Sequence, residues 1–159
     1  MEIFKKALKE GKSTLSEYDS KLVLSEYKIP VTKEVIANTV NELNKAVQKI
    51  GFPLVLKGCS SEIAHKTEKG LIQVDIRNID EAKTAFADIQ SKMDRDDNSV
   101  LVQEMIKGQR ELVVGMTRDP QFGPCVMFGL GGIFTEILKD VAFRVAPLTR
   151  RDAMDLMND

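Results

Sequence analysis

The chain contains one histidine, His65, and two cysteines, Cys59 and Cys125, in 159 residues. The cysteines lie far apart with no C-x-x-C pair, so a Cys/His zinc site lacks the ligands it needs. Charge of one sign is also missing. Lys+Arg 23 against Asp+Glu 24 leaves a formal net charge of -1, without the basic footprint of a phosphate-backbone binder. No apolar run approaches the roughly 18 residues of a membrane span. The opening MEIFKKALKEGK does not read as a signal peptide, and no repeat or low-complexity tract stands out. What is present is ordinary: 43% hydrophobic and 30% charged residues, the balance of a folded globular chain. The length fits one domain, or two small subdomains sharing a surface. A reduced, cytoplasmic α/β-type domain that binds neither nucleic acid nor membrane is expected.

Two helices are expected to open the chain. The first, over residues 3–10, is short and lysine-rich. The second starts at Ser16, whose hydroxyl can cap free amides while Asp19 reaches back, and Pro30 stops it. Residues 34–37 read as a strand. Thr39 with Glu42 forms a second capping box, and Leu43, Ala46, Val47 and Ile50 follow at i, i+3, i+4, i+7 before Gly51 closes the helix. The run PLVLK, residues 53–57, is a buried strand. A polar loop over residues 58–70 precedes a strand at 71–76. Asp80 then caps a helix lined by Ala82, Ala85, Phe86, Ile89 and Met93. The polar stretch 94–98 is the expected subdomain boundary. Beyond it come strands at 100–105, 111–117, 126–128, 133–138 and 143–146, with Asp119-Pro120 and Gly123-Pro124 as turns. Thr149 with Asp152 begins a last helix. This order suggests an α+β fold with a mixed sheet rather than a doubly wound one. It divides the chain into a helical segment (1–30), an α/β subdomain (31–98) and a strand-rich second subdomain (99–159).

A few residues stand out chemically. Lys57 ends an apolar strand and either snorkels from the sheet edge or faces an anion in a cleft. The glycine-bounded loop after it can fold over phosphates, with backbone amides and Lys57 supplying positive potential. His65 lies in that loop; it is either incidental or a phosphoryl acceptor, since a neutral imidazole nitrogen is a competent nucleophile near pH 7. Glu104 closes one strand and Glu111 opens the next, with the apolar step Met105-Ile106 after the first. They are either edge carboxylates beside Lys107 and Arg110, or groups that hold ribose hydroxyls while the backbone meets an adenine. Gly129-Leu130-Gly131-Gly132 is not a dinucleotide fingerprint. The third glycine would fall at Phe134, and a strand is expected to follow where the fingerprint needs a helix. No P-loop is present. Glu136, Asp140 and Arg144 lie beyond the glycines, and strand alternation gives no reason for the charge on Glu136.

With these motifs in place the chain resembles the ATP-grasp domain of the ADP-forming acyl-CoA synthetases, such as acetyl-CoA synthetase β subunits, and more distantly the β subunit of succinyl-CoA synthetase. The resemblance rests on LSEYDSKLVLSEYKIPV, IGFPLVLKGCSSEIAHKTEKG, VLVQEMIKGQRELVVGMTRDPQFGP and VMFGLGGIFTEILKDVAFRVAPLT. It implies an ATP-grasp fold with an unfinished second subdomain. It also implies a cytoplasmic ligase that interconverts acyl-CoA, ADP and phosphate with acid, CoA and ATP through phosphohistidine. Carried over, Lys57 and Gly70 belong to the nucleotide phosphates, and Glu104, Met105 and Ile106 to adenine and ribose. Glu111 falls on a ribose hydroxyl and Arg144 on phosphate. His65 is the relay histidine, and Glu136 steadies the phosphohistidine of a CoA-binding (α-type) partner domain or subunit. ATP or ADP with Mg²⁺ are the implied cofactors.

Two features depart from the family. Its loop commonly carries two glycines where this sequence has Lys69-Gly70-Leu71. Its Glu-x-Asp-x-Asn-Pro motif and metal-binding aspartate do not occur here, so the metal ligands are unknown and the isolated chain is expected to be an incomplete, inactive part of a larger enzyme. Two other readings are a ligand-sensing module of a protein lysine acetyltransferase and a non-catalytic assembly fragment.

Overall fold

The computed structural model describes residues 2–59, 70–93, 98–108, 111–132 and 141–158. The chain forms two compact units, Met1–Ile106 and Lys107–Asp159. His65, Glu136, the expected strand at 133–138 and most of the expected boundary at 94–98 lie outside the described residues.

In the first unit, helices α1 (Glu2–Lys9) and α2 (Glu17–Glu26) precede β1 (Glu34–Ala37), α3 (Val40–Ile50), β2 (Leu54–Gly58), β3 (Ile72–Ile76), α4 (Ile79–Ser91) and β4 (Val100–Glu104). The caps follow the chemistry of short oxygen-bearing side chains. Ser16 Oγ accepts from the Asp19 amide, and Thr39 Oγ1 from the Glu42 amide. Glu42 does not return to Thr39 but accepts from the Asn38 amide, one residue earlier. The cap of α4 is Asn78 rather than Asp80. Asn78 Oδ1 takes the amides of both Asp80 and Glu81, which its position just ahead of the helix allows and Asp80's position inside the first turn does not. Helix α2 ends at Glu26 with Lys28 at φ 61, before Pro30 can act as the stop.

The sheet order is β1-β4-β2-β3. Every described neighbour is antiparallel, β1 with β4, β4 with β2 and β2 with β3, so the expected mixed sheet is not formed. The reason is the position of β4. It inserts between β1 and β2, so these two strands share a direction without touching. The strand at 100–104, grouped in sequence with the later strands, thus belongs to this first sheet.

Alternation along the strands gives the sheet two unlike faces. One presents Ala37, Leu54, Leu56, Val100 and Val102 to Leu43, Ala46 and Val47 of α3 and Ala82, Phe86 and Ile89 of α4, forming the core. Each fully buried aliphatic side chain here contributes about 1.5–3 kcal/mol. The other face carries Glu34, Val55, Lys57, Leu101 and Gln103, by the same register. Helix α2 reaches that face through Glu17 and Lys21.

The second unit contains β5 (Leu112–Asp119), β6 (Gly123–Leu130), β7 (Val141–Val145) and α5 (Arg150–Asn158), with the antiparallel strand order β5-β6-β7. Asp119 Oδ1 accepts from the amides of Gln121 and Phe122, making the hairpin turn. Gly123-Pro124 is not a second turn but the start of β6, with Pro124 opposite Arg118. Proline is tolerated there because the strand is only beginning to pair. Helix α5 opens with a reciprocal capping box: Thr149 Oγ1 accepts from the Asp152 amide and Asp152 Oδ2 from the Thr149 amide. Together these elements make an α+β protein, a helix-backed antiparallel sheet followed by a smaller strand-rich unit.

Candidate functional site

Lys57 sits on β2, on the face opposite the core, and its side chain is only 20% exposed. A lysine buried to that extent needs partners for its charge. Its Nζ donates to Glu17 Oε1 at 2.8 Å and to Gln103 Oε1 at 3.2 Å. Lys21 enters the same cluster, donating to Glu17 Oε1 at 3.0 Å, Gln103 Oε1 at 2.8 Å, Thr32 Oγ1 at 3.1 Å and Glu34 Oε2 at 2.6 Å. Two ammoniums and two carboxylates therefore close a charge-balanced group along the sheet face, from Glu34 and Gln103 to Lys57. Glu34 is 6% exposed at its side chain, and its Oε1 has no hydrogen-bond partner among the described residues.

Burial alone pushes the Glu17 carboxyl up. The hydrogen bonds from Lys57 and then Lys21, with the charges behind them, outweigh it and hold the group at about 2, against an ordinary value of 4.5. A carboxyl whose folded pKa is depressed stabilises the fold above its unfolded pKa and loses that contribution as pH falls toward the folded one. The first unit should therefore lose on the order of 2–3 kcal/mol through this group as the medium is acidified from the unfolded to the folded value. Unfolding curves of the native protein and Glu17→Gln, compared across acid pH, check this. The two profiles should converge toward pH 2, and parallel profiles would contradict the assignment.

The remaining expected residues of this unit flank the cluster. Gly70 stands just ahead of β3, at φ 65, a conformation that L side chains rarely adopt. The following residue, Leu71, accepts the Gly58 amide through its carbonyl at 2.8 Å, so Gly70 and Lys57 border the same end of the β2–β3 pair. Glu104, Met105 and Ile106 lie at the other end of the neighbouring strand. Leu54 pairs with Glu104 and Lys57 with Leu101, a separation of three positions, or roughly 10 Å. Glu104 is held there by Lys33, whose amide donates to its Oε1 at 2.7 Å. The Met105 amide donates to the Pro53 carbonyl at 3.2 Å, and Ile106 is 64% exposed. The Lys57 and Glu104 backbones are thus three positions apart on this strand pair, and the Lys57 ammonium reaches along the sheet face to Gln103, the residue before Glu104.

In the second unit, Glu111 is tied to the glycine turn. Its carbonyl accepts the Gly131 amide at 2.8 Å. A Cβ on Gly131 would come within 2.9 Å of the Glu111 backbone, and one on Gly132 within 2.6 Å of Glu111 Oε2. Gly131 is required because the Glu111 backbone packs directly on it, and Gly132 because of its φ of 65, while Gly129 is a paired position of β6 opposite Val113. Arg144 is on β7, opposite Val126, itself opposite Met116. Its Nη1 donates to the Phe143 carbonyl at 2.9 Å. Met116 is five positions along the chain from Glu111, roughly 17 Å, so this sheet keeps Arg144 and Glu111 apart.

Sequence reasoning overlooked Glu17, Lys21 and Glu34. The signal available was Glu34 and Gln103, polar residues on strands otherwise apolar, which must find partners if buried. A groove of about 560 Å³ runs between β3 and α4, but Asp75, Asp80, Glu81 and Asp88 line it. It contains none of the expected residues, and its charge disfavours a phosphate. Among the described residues no group of three or more His, Cys, Asp or Glu side chains could hold a metal ion. No helix among them is long and apolar enough to cross a membrane.

The ATP-grasp domain family matches residues 6–159. The β subunit of Acetate--CoA ligase [ADP-forming] I from Pyrococcus furiosus is 45% identical over 163 residues, spanning 99% of this chain and 70% of the relative. The chain belongs to the ATP-grasp family of ADP-forming acetate–CoA ligase β subunits. Among solved structures, acetyl-coenzyme A synthetase 1 of Ca. Korarchaeum cryptofilum, in complex with coenzyme A, Ca-AMPCP and HgCl+, is 40% identical with a TM-score of 0.93, covering 99% of this chain and 71% of that one. A second structure of that synthetase, with coenzyme A and Mg-AMPPCP and its phosphohistidine segment pointing towards the nucleotide binding site, gives a TM-score of 0.84 at 40% identity, over 99% and 68%. The family's ATP-grasp fold is therefore that of this chain, and its relatives are ADP-forming acid–CoA ligases in which this chain corresponds to the ATP-grasp part.

Proposed function

We propose that this chain binds an adenine nucleotide and passes its phosphoryl group to and from His65, within an ADP-forming acetyl-CoA synthetase completed by a CoA-binding, α-type partner. The observation that carries the reading is the strand-pair geometry at β2 and β4, in a fold shared along nearly its whole length with a synthetase that binds a nucleotide analogue. Lys57 meets the phosphates, with Gly70 letting the backbone approach. The Glu104–Ile106 step takes adenine and ribose. By the family resemblance Glu111 is a ribose contact and Arg144 a phosphate contact, and Glu136 steadies the partner's phosphohistidine.

In the phosphorylating direction a neutral imidazole nitrogen of His65 attacks the γ-phosphorus of ATP. A P–N bond forms, the P–O bond to the β-phosphate breaks, and ADP leaves with the electron pair. The reverse step makes ATP. Such a transfer depends on positioning and charge neutralisation more than on covalent help. Mg²⁺ neutralises phosphate charge when bound, and no step here is assigned to it.

Neither the relatives nor the geometry favours an acetyltransferase-linked sensor. The test is ATP formation by the full-length protein assembled with a CoA-binding partner. Turnover should require acetyl-CoA, ADP and inorganic phosphate together. A folded assembly that makes no ATP from the three would contradict the proposal.

A further inference from the structure

The cluster around Lys57 is asymmetric. Both acceptors that Lys57 uses are held a second time by Lys21: Glu17 Oε1 at 3.0 Å and Gln103 Oε1 at 2.8 Å. If Lys57 swung away, neither oxygen would lose its last partner. Lys21 has less freedom. Among the described residues it is the only cation on the buried Glu34 carboxylate, at 2.6 Å, with the Thr32 hydroxyl a neutral second donor at 3.3 Å. A buried carboxylate without a counter-charge is strongly disfavoured. One ammonium is therefore fixed by the fold and the other is replaceable.

We infer that Lys57 is an exchangeable cation and that Glu17 is its resting counter-ion, which a nucleotide phosphate must displace or share. This rests on the reading of Lys57 as a phosphate contact and adds a residue on α2 that sets the affinity for the phosphate part of the ligand. Glu17 opposes binding twice. It competes for the Lys57 ammonium, and its own negative charge repels the incoming anion. Glutamine at position 17 keeps the shape and an acceptor but removes both effects, while Lys21 stays paired with Glu34. Glu104 is held by the Lys33 amide and not by Glu17, so binding of an unphosphorylated nucleoside is unaffected.

The experiment measures ADP and adenosine affinity by calorimetry for the full-length protein, Glu17→Gln, Lys57→Ala and the double variant. Glu17→Gln should bind ADP about fivefold more tightly, the equivalent of about 1 kcal/mol for a half-buried ion pair, with adenosine unchanged. Lys57→Ala should weaken ADP at least about tenfold. In the Lys57→Ala background the effect of Glu17→Gln should shrink, since the two act through one contact. If Lys57→Ala weakens ADP while Glu17→Gln leaves it unchanged or weaker, the counter-ion role is wrong and the Lys57 reading stands. A change in ADP and adenosine alike would also overturn it, because that marks a general structural effect. If Lys57→Ala leaves ADP affinity intact, or the native protein binds no ADP, the phosphate-contact reading itself fails. Should Glu17→Gln not fold, Glu17→Asp serves, its shorter carboxylate loosening the grip on Lys57. It should tighten ADP to a smaller degree, and unchanged or weaker binding would count against the proposal.

Discussion

Alanine at position 65 should stop ATP formation by the assembled full-length protein, by at least about 10⁴-fold, while leaving ADP affinity within about twofold. The argument is chemical. A phosphoryl relay needs a nucleophile that is neutral near pH 7, forms a P–N bond and releases it again. Imidazole satisfies all three conditions. His65 is the only histidine in the sequence, so no neighbour on this chain can replace it. Nucleotide contacts assigned to Lys57 and to the Glu104–Ile106 step do not involve the imidazole, which is why binding should survive. Steady-state ATP synthesis and ADP calorimetry on the same preparation separate the two quantities. Turnover retained in His65→Ala would remove the relay role. Loss of turnover and ADP binding together would point to a structural role.

The second large effect is on stability. Phe86→Ala should cost the first unit about 3–5 kcal/mol. Phe86 is 1% exposed on α4 and belongs to the cluster formed with Leu54, Leu56, Val100 and Val102. Removing the ring leaves a void between a helix and a sheet that are held on several sides and collapse only partly. A loss of that size is a large share of the 5–15 kcal/mol typical of a whole domain. Leu8→Ala is the control. Leu8 is 76% exposed, and its removal should change stability by no more than about 0.5 kcal/mol. Urea unfolding followed by far-UV circular dichroism distinguishes them. Equal midpoints for the two variants would show that the core is not where the structure places it.

Much of the fold was legible because local signals were unopposed. The helix after Thr39 follows from an N-cap oxygen, an i, i+3, i+4, i+7 apolar stripe and a C-terminal glycine, and none needs knowledge of a distant residue. Where two local signals competed, the wrong one was easily chosen. Asn78 and Asp80 both carry a capping oxygen, and only the helix start decides between them. Gly123-Pro124 has turn composition, yet it opens a strand. Long-range placement was not legible at all. The strand at 100–104 follows a polar stretch that looks like a boundary, but its apolar side chains complete the first sheet.

The site divides in the same way. Lys57 was visible as a charge ending an apolar strand. Glu17, forty residues earlier in the chain, carries no signal beyond its place next to the helix cap Ser16. Its meeting with Lys57 depends on how α2 lies on the sheet, which no spacing encodes. The roles carried over from the family sit on motifs, and the ion cluster that tunes one of them had to be seen in three dimensions.

The central claim is that phosphate passes between nucleotide and His65. Its most direct test is to incubate the assembled full-length protein with ATP labelled in the γ-phosphate and Mg²⁺, then ask where the label resides. The account predicts label on this chain, stable in base and released in acid as a P–N bond requires, and absent from His65→Ala. Label that persists in that variant, or no label on a folded assembly that binds ATP, would contradict it.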